Sequence, residues 1–299
     1  MRHRISCMQL GAWQLDAVSG GSFWLDGGAM FGVVPKPMWQ RVAPPDEANR
    51  IPMATNCLLA RDGRHTVLVD TGYGGKEPPR RRELFNLEAG EPLVAHLAAL
   101  GVSPEQIDLV VFSHLHFDHA GGATRLDEQG RLAIVFPRAR FVAQQGEWLD
   151  AVSGLPELRG SYPLENLLPL QDSGRLELID GDVEIVPGLR SRVTGGHTRR
   201  HQSLVFDSAG QTACFVGDLC PTTAHLRSLW CMAYDVYPLE TRRCKPQFLG
   251  QAADEGWHLF WDHDPRIVSC RIERHAEREF VIAPNSTIDS PARSSKAIE

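Results

Sequence analysis

Short apolar runs broken by glycine or polar turns recur along this chain, and their spacing predicts an alternation of strands and helices. Cys57-Leu58-Leu59-Ala60 and Thr66-Val67-Leu68-Val69 read as two strands joined by a turn at Arg61-Asp62-Gly63-Arg64. Asp70-Thr71-Gly72 turns the chain after the second. Apolar residues at 93, 94, 97 and 100, with Gly101 just beyond, predict a helix over 92–100. Ser103-Pro104-Glu105-Gln106 is a capping-box pattern with proline at the first helical position, so a short helix starts there. Strands are predicted over 109–113 and 141–143, and a helix over 145–155. The stretch 155–175 is rich in Leu, Pro and Gly without a period and reads as an irregular excursion. Strands recur near 176–179, 183–186, 190–194, 203–207 and 212–216. A helix is predicted over 239–255, kinked or split at Pro246. Strands near 257–261, 267–272 and 279–282 follow. Residues 286–299 are polar and Ser-rich and are expected to be mobile, which leaves 1–285 as a single domain. Strand-rich halves separated by helices fit an α/β protein in which two sheets pack together and helices cover the outside.

Composition narrows the function classes. The 299 residues are 42% hydrophobic and 23% charged, ordinary for a globular protein with a sizeable core. A net charge of −6 argues against nucleic acid as a partner, because phosphate binding needs a basic surface. The opening Met-Arg-His-Arg-Ile-Ser lacks the apolar run of a signal peptide, and no stretch is long enough to span a bilayer. Seven scattered cysteines with no Cys-x-x-Cys pair predict reduced, mostly buried thiols and a cytoplasmic setting.

The chemistry is concentrated in His114-Leu115-His116-Phe117-Asp118-His119, three histidines and a carboxylate within six positions. The run Leu109–Phe112 before it and Ala120-Gly121-Gly122 after it place the cluster on a loop at a strand end, where side chains can converge. Imidazole and carboxylate together suit a divalent transition metal, zinc first. One loop cannot fill two metal sites. Gly195-Gly196-His197-Thr198, Val216-Gly217-Asp218 and Trp261-Asp262-His263 each put a metal-competent side chain directly after a short strand.

The motif His114-x-His116-x-Asp118-His119, followed by His197, Asp218 and His263, resembles the metallo-β-lactamase fold superfamily of binuclear hydrolases. Asp70-Thr71-Gly72 matches that family's early strand-end turn. The resemblance implies an αββα sandwich of two mixed β-sheets with helices on the outer faces. It implies two divalent metal ions, with His114, His116 and His197 on the first, Asp118, His119 and His263 on the second, and Asp218 between them. It also implies a metal-bridging hydroxide as nucleophile and Asp118 as the catalytic proton carrier. β-Lactamases of this fold usually carry Arg where His119 stands, and flavodiiron proteins carry Glu where His116 stands, so neither activity is expected.

Asp26–Gly32, Phe117–Gly122 and Gly196–Ser203 resemble the N-acyl-homoserine lactonase branch. Two positions depart from it: Arg199-Arg200 replace a Pro-Gly pair, and Pro221 stands where a Tyr would bond the substrate carbonyl. Tyr234, Tyr237 and His225 are the candidate replacements. The expected function is opening of a lactone or other carboxylic ester. The alternatives are phosphotriester or phosphodiester hydrolysis on the same metals, and a metal-binding protein without hydrolytic activity. The expected partner is a small-molecule ester or lactone, with neither nucleic acid nor membrane, and with a homodimer allowed. The remaining histidines, among them His201, read as structural. Arg80-Arg81-Arg82 reads as a solvated loop, and Trp24, Met30 and Phe31 as either core or the lining of an acyl pocket.

Overall fold

The structure is a computed structural model describing residues 7–289. β1 (Cys7–Leu10) turns into the long β2 (Trp13–Asp26), and α1 (Gly27–Phe31) and α2 (Lys36–Trp39) lead to β3 (Arg50–Arg61). β4 (Thr66–Val69), α3 (Pro79–Leu84), α4 (Pro92–Ala99) and β5 (Leu109–Val111) follow. α5 (Phe117–Ala120) precedes a small hairpin of β6 (Thr124–Leu126) and β7 (Leu132–Ile134). Next come β8 (Arg140–Gln144), α6 (Gln145–Ala151), α7 (Leu164–Asp172) and β9 (Leu176–Ile179). The second half runs through β10 (Glu184–Val186), β11 (Leu189–Val193), β12 (Gln202–Ser208), β13 (Gln211–Phe215), α8 (Pro238–Asp254) and β14 (His258–Phe260). β15 (Ile267–Cys270), β16 (Ile272–His275), β17 (Glu279–Ile282) and β18 (Ile288–Asp289) close it.

Two seven-stranded mixed sheets result, in the orders β1-β2-β3-β4-β5-β8-β9 and β10-β11-β12-β13-β14-β15-β18. The first is antiparallel through β4 and parallel from β4 to β9. In the second only β13 and β14 are parallel. Strand periodicity explains the layering. Val67, Val69, Leu109 and Val111 face a core shared with Leu204, Phe206, Phe215 and Phe260 of the other sheet. Their neighbours Leu68 and Val110 face outward onto Leu93, Leu97 and Trp148 of the helices. On the far side Val205, Cys214 and Leu259 pack on Phe248 and Leu249 of α8. Strands buried on both faces read as unbroken apolar runs, which is why these were visible in the sequence.

Two expectations need correction. The region 155–175 is not wholly irregular: α7 forms from Leu164, with Leu167 and Leu170 buried, and Pro169 hides its period. α8 is not split at Pro246: the helix continues to Asp254, with Phe248, Leu249 and Ala252 buried against the sheet. Ile288–Asp289 pair with β15, and the rest of the polar end, residues 290–299, lies outside those described. The strand β2 was missed because Gly20-Gly21 and a bulge between Ser19 and Ser22 break its alternation. Among the described residues no helix is long and apolar enough to cross a membrane. All seven cysteines are unpaired.

Two buried histidines outside the site make a pH prediction. Burial pushes His225 down to about 3 and His258 to about 4 from 6.5. The folded-state values lie below the unfolded one, so the unfolded chain binds more protons between them. The neutral rings' contribution is complete above pH 6.5 and falls as the pH drops towards the folded values, by about 2 kcal/mol per histidine at pH 5. Site histidines are shifted as well, so the contribution is read by difference: between pH 7.5 and 5 metal-free wild type should lose more stability than His258→Gln, and equal losses would remove His258 from the account.

Candidate metal centre

Five strand ends deliver the site. After β4 the chain turns at Asp70, held at φ 57°. Its carboxylate accepts from Ser113 N and Ser113 Oγ, each at 2.7 Å, and so fixes the chain leaving β5 just before His114. α5 then places Asp118 and His119 one turn on. After β13, Gly217 has φ 64°, and a Cβ there would lie 2.5 Å from His201 Nε2. Only glycine fits, and the close approach lets His201 Nε2 accept from Asp218 N at 2.9 Å. After β14, Asn56 Nδ2 donates to Trp261 O and Asp264 O, each at 2.9 Å, which fastens the His263 loop to β3 of the other sheet.

The seven residues expected as ligands lie together, all buried. One cluster is His114, His116, His197 and Asp218, and a second is His119, Asp218, Asp262 and His263; within each, the ligand atoms lie within 4.8 Å of one another. Asp218 belongs to both. Its Oδ2 is 3.0 Å from His197 Nε2 and 3.7 Å from both His114 Nε2 and His119 Nε2, while its Oδ1 is 3.2 Å from His263 Nε2. His116 turns Nδ1 inward, 3.0 Å from His197 Nε2. Asp118 stands slightly apart, 3.6 Å from His263 Nε2 and 3.9 Å from His119 Nε2.

This arrangement fits cations. His114 Nε2 is buried with no hydrogen-bond partner, a state that native interiors rarely leave uncompensated. His119 Nε2 and His263 Nε2 face each other at 3.2 Å. With nitrogen lone pairs converging on carboxylates in a buried interior, each cluster could hold a metal ion.

Outer partners hold the imidazoles. His119 Nδ1 meets Asp70 Oδ2 at 2.8 Å, His197 Nδ1 meets Asp235 Oδ1 at 3.0 Å, and His263 Nδ1 meets Ala54 O at 2.8 Å. An Nδ1–H donated outward leaves the Nε2 lone pair aimed inward. Glu147, fully buried, ties two ligand loops together: Oε1 accepts from Leu115 N at 3.1 Å and Tyr162 OH at 2.8 Å, and Oε2 from Thr198 Oγ1 at 2.5 Å. Electrostatics divides the histidines. Burial and neighbouring imidazoles hold His114 and His116 well below 6.5. Around His119 and His197 burial is outweighed by carboxylates, chiefly Asp118 and Asp70 for the one and Asp218 and Asp235 for the other, which raise them to about 9 and about 10. A bound cation would take the place of those protons.

Other sequence candidates fall elsewhere. Pro221 uses its carbonyl to accept from His263 N at 3.0 Å. His225 has both ring nitrogens engaged, with Thr222 Oγ1 at 2.7 Å and Met30 O at 2.9 Å, so it has no donor to spare for a substrate. Tyr234 is 43% exposed, and partial burial with the Asp26 and Asp118 charges pushes its hydroxyl up to about 12. Met30 and Phe31 are fully buried core residues. The Arg80–Arg82 stretch is helical in α3, and Arg81 lies over the Phe117 ring at 4.4 Å. Sequence reading missed Asp235, Glu147 and Asp262. Only Asp262 carried a signal, as the neighbour of a ligand-type histidine at a strand end.

Comparison with known proteins agrees with this geometry. Residues 50–268 match the family model of the metallo-beta-lactamase superfamily. N-acyl homoserine lactonase of Bacillus cereus is 29% identical over 163 residues, which take in 51% of this chain and 58% of that protein. The chain thus matches somewhat over half the length of that relative. A probable metal-dependent hydrolase from Staphylococcus aureus superposes with a TM-score of 0.82 at 32% identity, covering 93% of this chain and 99% of the other. AidC, a dizinc quorum-quenching lactonase, shares the fold with a TM-score of 0.77 at 21% identity, over 94% of this chain and 97% of its own. With its two mixed sheets, its strand-end ligand loops and a family match over most of its length, the chain belongs to the metallo-β-lactamase superfamily of metal-dependent hydrolases.

Proposed function

We propose that the protein is a two-metal hydrolase, loaded with zinc, that opens a lactone or another carboxylic ester. The observation that supports this most directly is Asp218, whose two oxygens reach histidines of both clusters. His114, His116 and His197 would hold one ion and His119, His263 and Asp118 the other, with Asp218 shared. When bound, such a pair of cations supplies the charge that acidifies a water and polarises an ester carbonyl.

The chain's own residues do the rest. Asp70, Asp235 and Ala54 O orient the imidazoles. Asp118, the ligand-type carboxylate that stands apart, would take the proton of the attacking water and return it to the departing alkoxide as the ring C–O bond breaks. The apolar cluster beside the centre includes Phe23, Met232 and the half-buried Phe117. The Phe23 ring meets His263 edge-on at 5.5 Å. Such a wall keeps water out and suits an apolar acyl chain. The relationship to N-acyl homoserine lactonases supports the lactone over a phosphoester.

The test is a panel of acyl lactones, aryl esters, thioesters and phosphotriesters, assayed with protein stripped by chelator and reloaded with two equivalents of zinc. Lactones should show the highest kcat/KM, and stripping should abolish turnover. A preference for phosphotriesters would move the substrate class, and no turnover of any ester by metal-loaded protein would leave a binding protein instead.

A further inference from the structure

Of the carboxylates within the two clusters, Asp262 is the one the resemblance leaves without a role, and its surroundings give it one. The residue is 2% exposed, and neither Oδ1 nor Oδ2 has a hydrogen-bond partner. Asp264, two positions along, shows how this loop treats a structural carboxylate: it accepts from Thr223 N, Thr223 Oγ1, Arg266 N and Ile267 N. Asp262 receives none of this. Its backbone oxygen accepts from Asn56 N at 2.7 Å, which holds this stretch of the loop against β3.

What Asp262 faces is the second cluster. Its carboxylate lies within 4.8 Å of the ligand atoms of His119, Asp218 and His263, and its Oδ2 is 3.9 Å from His263 Nε2. Ionised carboxylates only accept hydrogen bonds, so as two anions Asp218 and Asp262 cannot satisfy each other. Two buried carboxylates this close repel unless a cation or a shared proton sits between them. The imidazoles of His119 and His263 complete a four-residue cup around that point.

We propose that Asp262 is a ligand of the second cation, approaching it from the end of β14 while Asp118 approaches from α5. The second site then carries two carboxylates of its own besides the shared Asp218, whereas the first carries none. This inference rests on the two-metal reading. It predicts that the second site depends on Asp262 and the first does not.

The experiment is a zinc titration of chelator-stripped protein against a chromophoric competitor, resolving two dissociation constants, with cobalt(II) absorption as a second readout. In Asp262→Asn one of the two binding steps should be lost or weakened by about tenfold to a hundredfold, while the other matches wild type. The cobalt bands of the affected step should change with it. Asp262→Glu, which keeps the carboxylate, should recover part of the loss. Loss of both ions alike in Asp262→Asn, or of neither, overturns the assignment. Wild-type protein that takes up a single ion overturns the two-metal reading and this inference with it.

Discussion

Replacing Asp218 by asparagine is expected to lower kcat/KM on the best ester substrate by about 10³-fold or more, the scale seen when a charge-stabilising group is removed from a hydrolytic site. The reason is geometric. Asp218 Oδ2 is 3.0 Å from His197 Nε2 and Oδ1 is 3.2 Å from His263 Nε2, so one carboxylate serves both clusters. Asparagine keeps the shape but removes the charge and turns one oxygen into a donor, which points at a cation or an imidazole either way. Bound metal should fall below two equivalents by elemental analysis. Its fold should survive, because the loop is placed by Asp218 N on His201 and by Gly217 rather than by the side chain. Activity that persists alongside reduced metal content would falsify the bridging role.

The second large effect concerns a residue that touches no substrate. Asp70→Ala would remove the acceptor for Ser113 N, Ser113 Oγ and His119 Nδ1 together, all in a buried pocket. Orphaning these groups should destabilise the protein by about 3–5 kcal/mol. For a domain of this size that is a drop in melting temperature of roughly 10 °C. The same loss should weaken metal uptake, because His119 loses the partner that orients its ring and Ser113 no longer fixes the approach to His114. Asp70→Asn keeps an oxygen for Ser113 and is expected to recover most of the stability but not the metal affinity, since the neutral amide supports the His119 imidazole poorly. Equal recovery of both would reduce Asp70 to a turn residue.

These two residues show what could be read in advance. Both end a short strand in a turn, and both were visible as polar breaks after apolar runs. The central strands announced themselves through continuous apolar stretches, and the ligand histidines through local crowding or a strand-end position. Asp235 was not legible. It lies in the loop before α8, thirty-eight positions from the imidazole it holds, and nothing near it repeats or alternates. Glu147 resembled any acidic residue in the first turn of a helix, and only the packing of Leu115, Thr198 and Tyr162 around it makes it a joint between ligand loops. The N-terminal strands were obscured by a bulge and paired glycines, and α7 by its own prolines. Local signals survived, and partnerships made across the fold did not.

The latch at Asn56 has a kinetic consequence. It ties β3, in the first sheet, to the loop that bears His263, in the second. His114, His116, Asp118 and His119 come from the first half of the chain, and His197, Asp218 and His263 from the other, so the donor set exists only after the halves have docked. If cations bind as proposed, they would find a complete donor set only in the docked state, and they would then be expected to slow unfolding rather than to speed folding. Such cations would act as a lock fitted after assembly, and the lifetime of the native state would follow how slowly they leave.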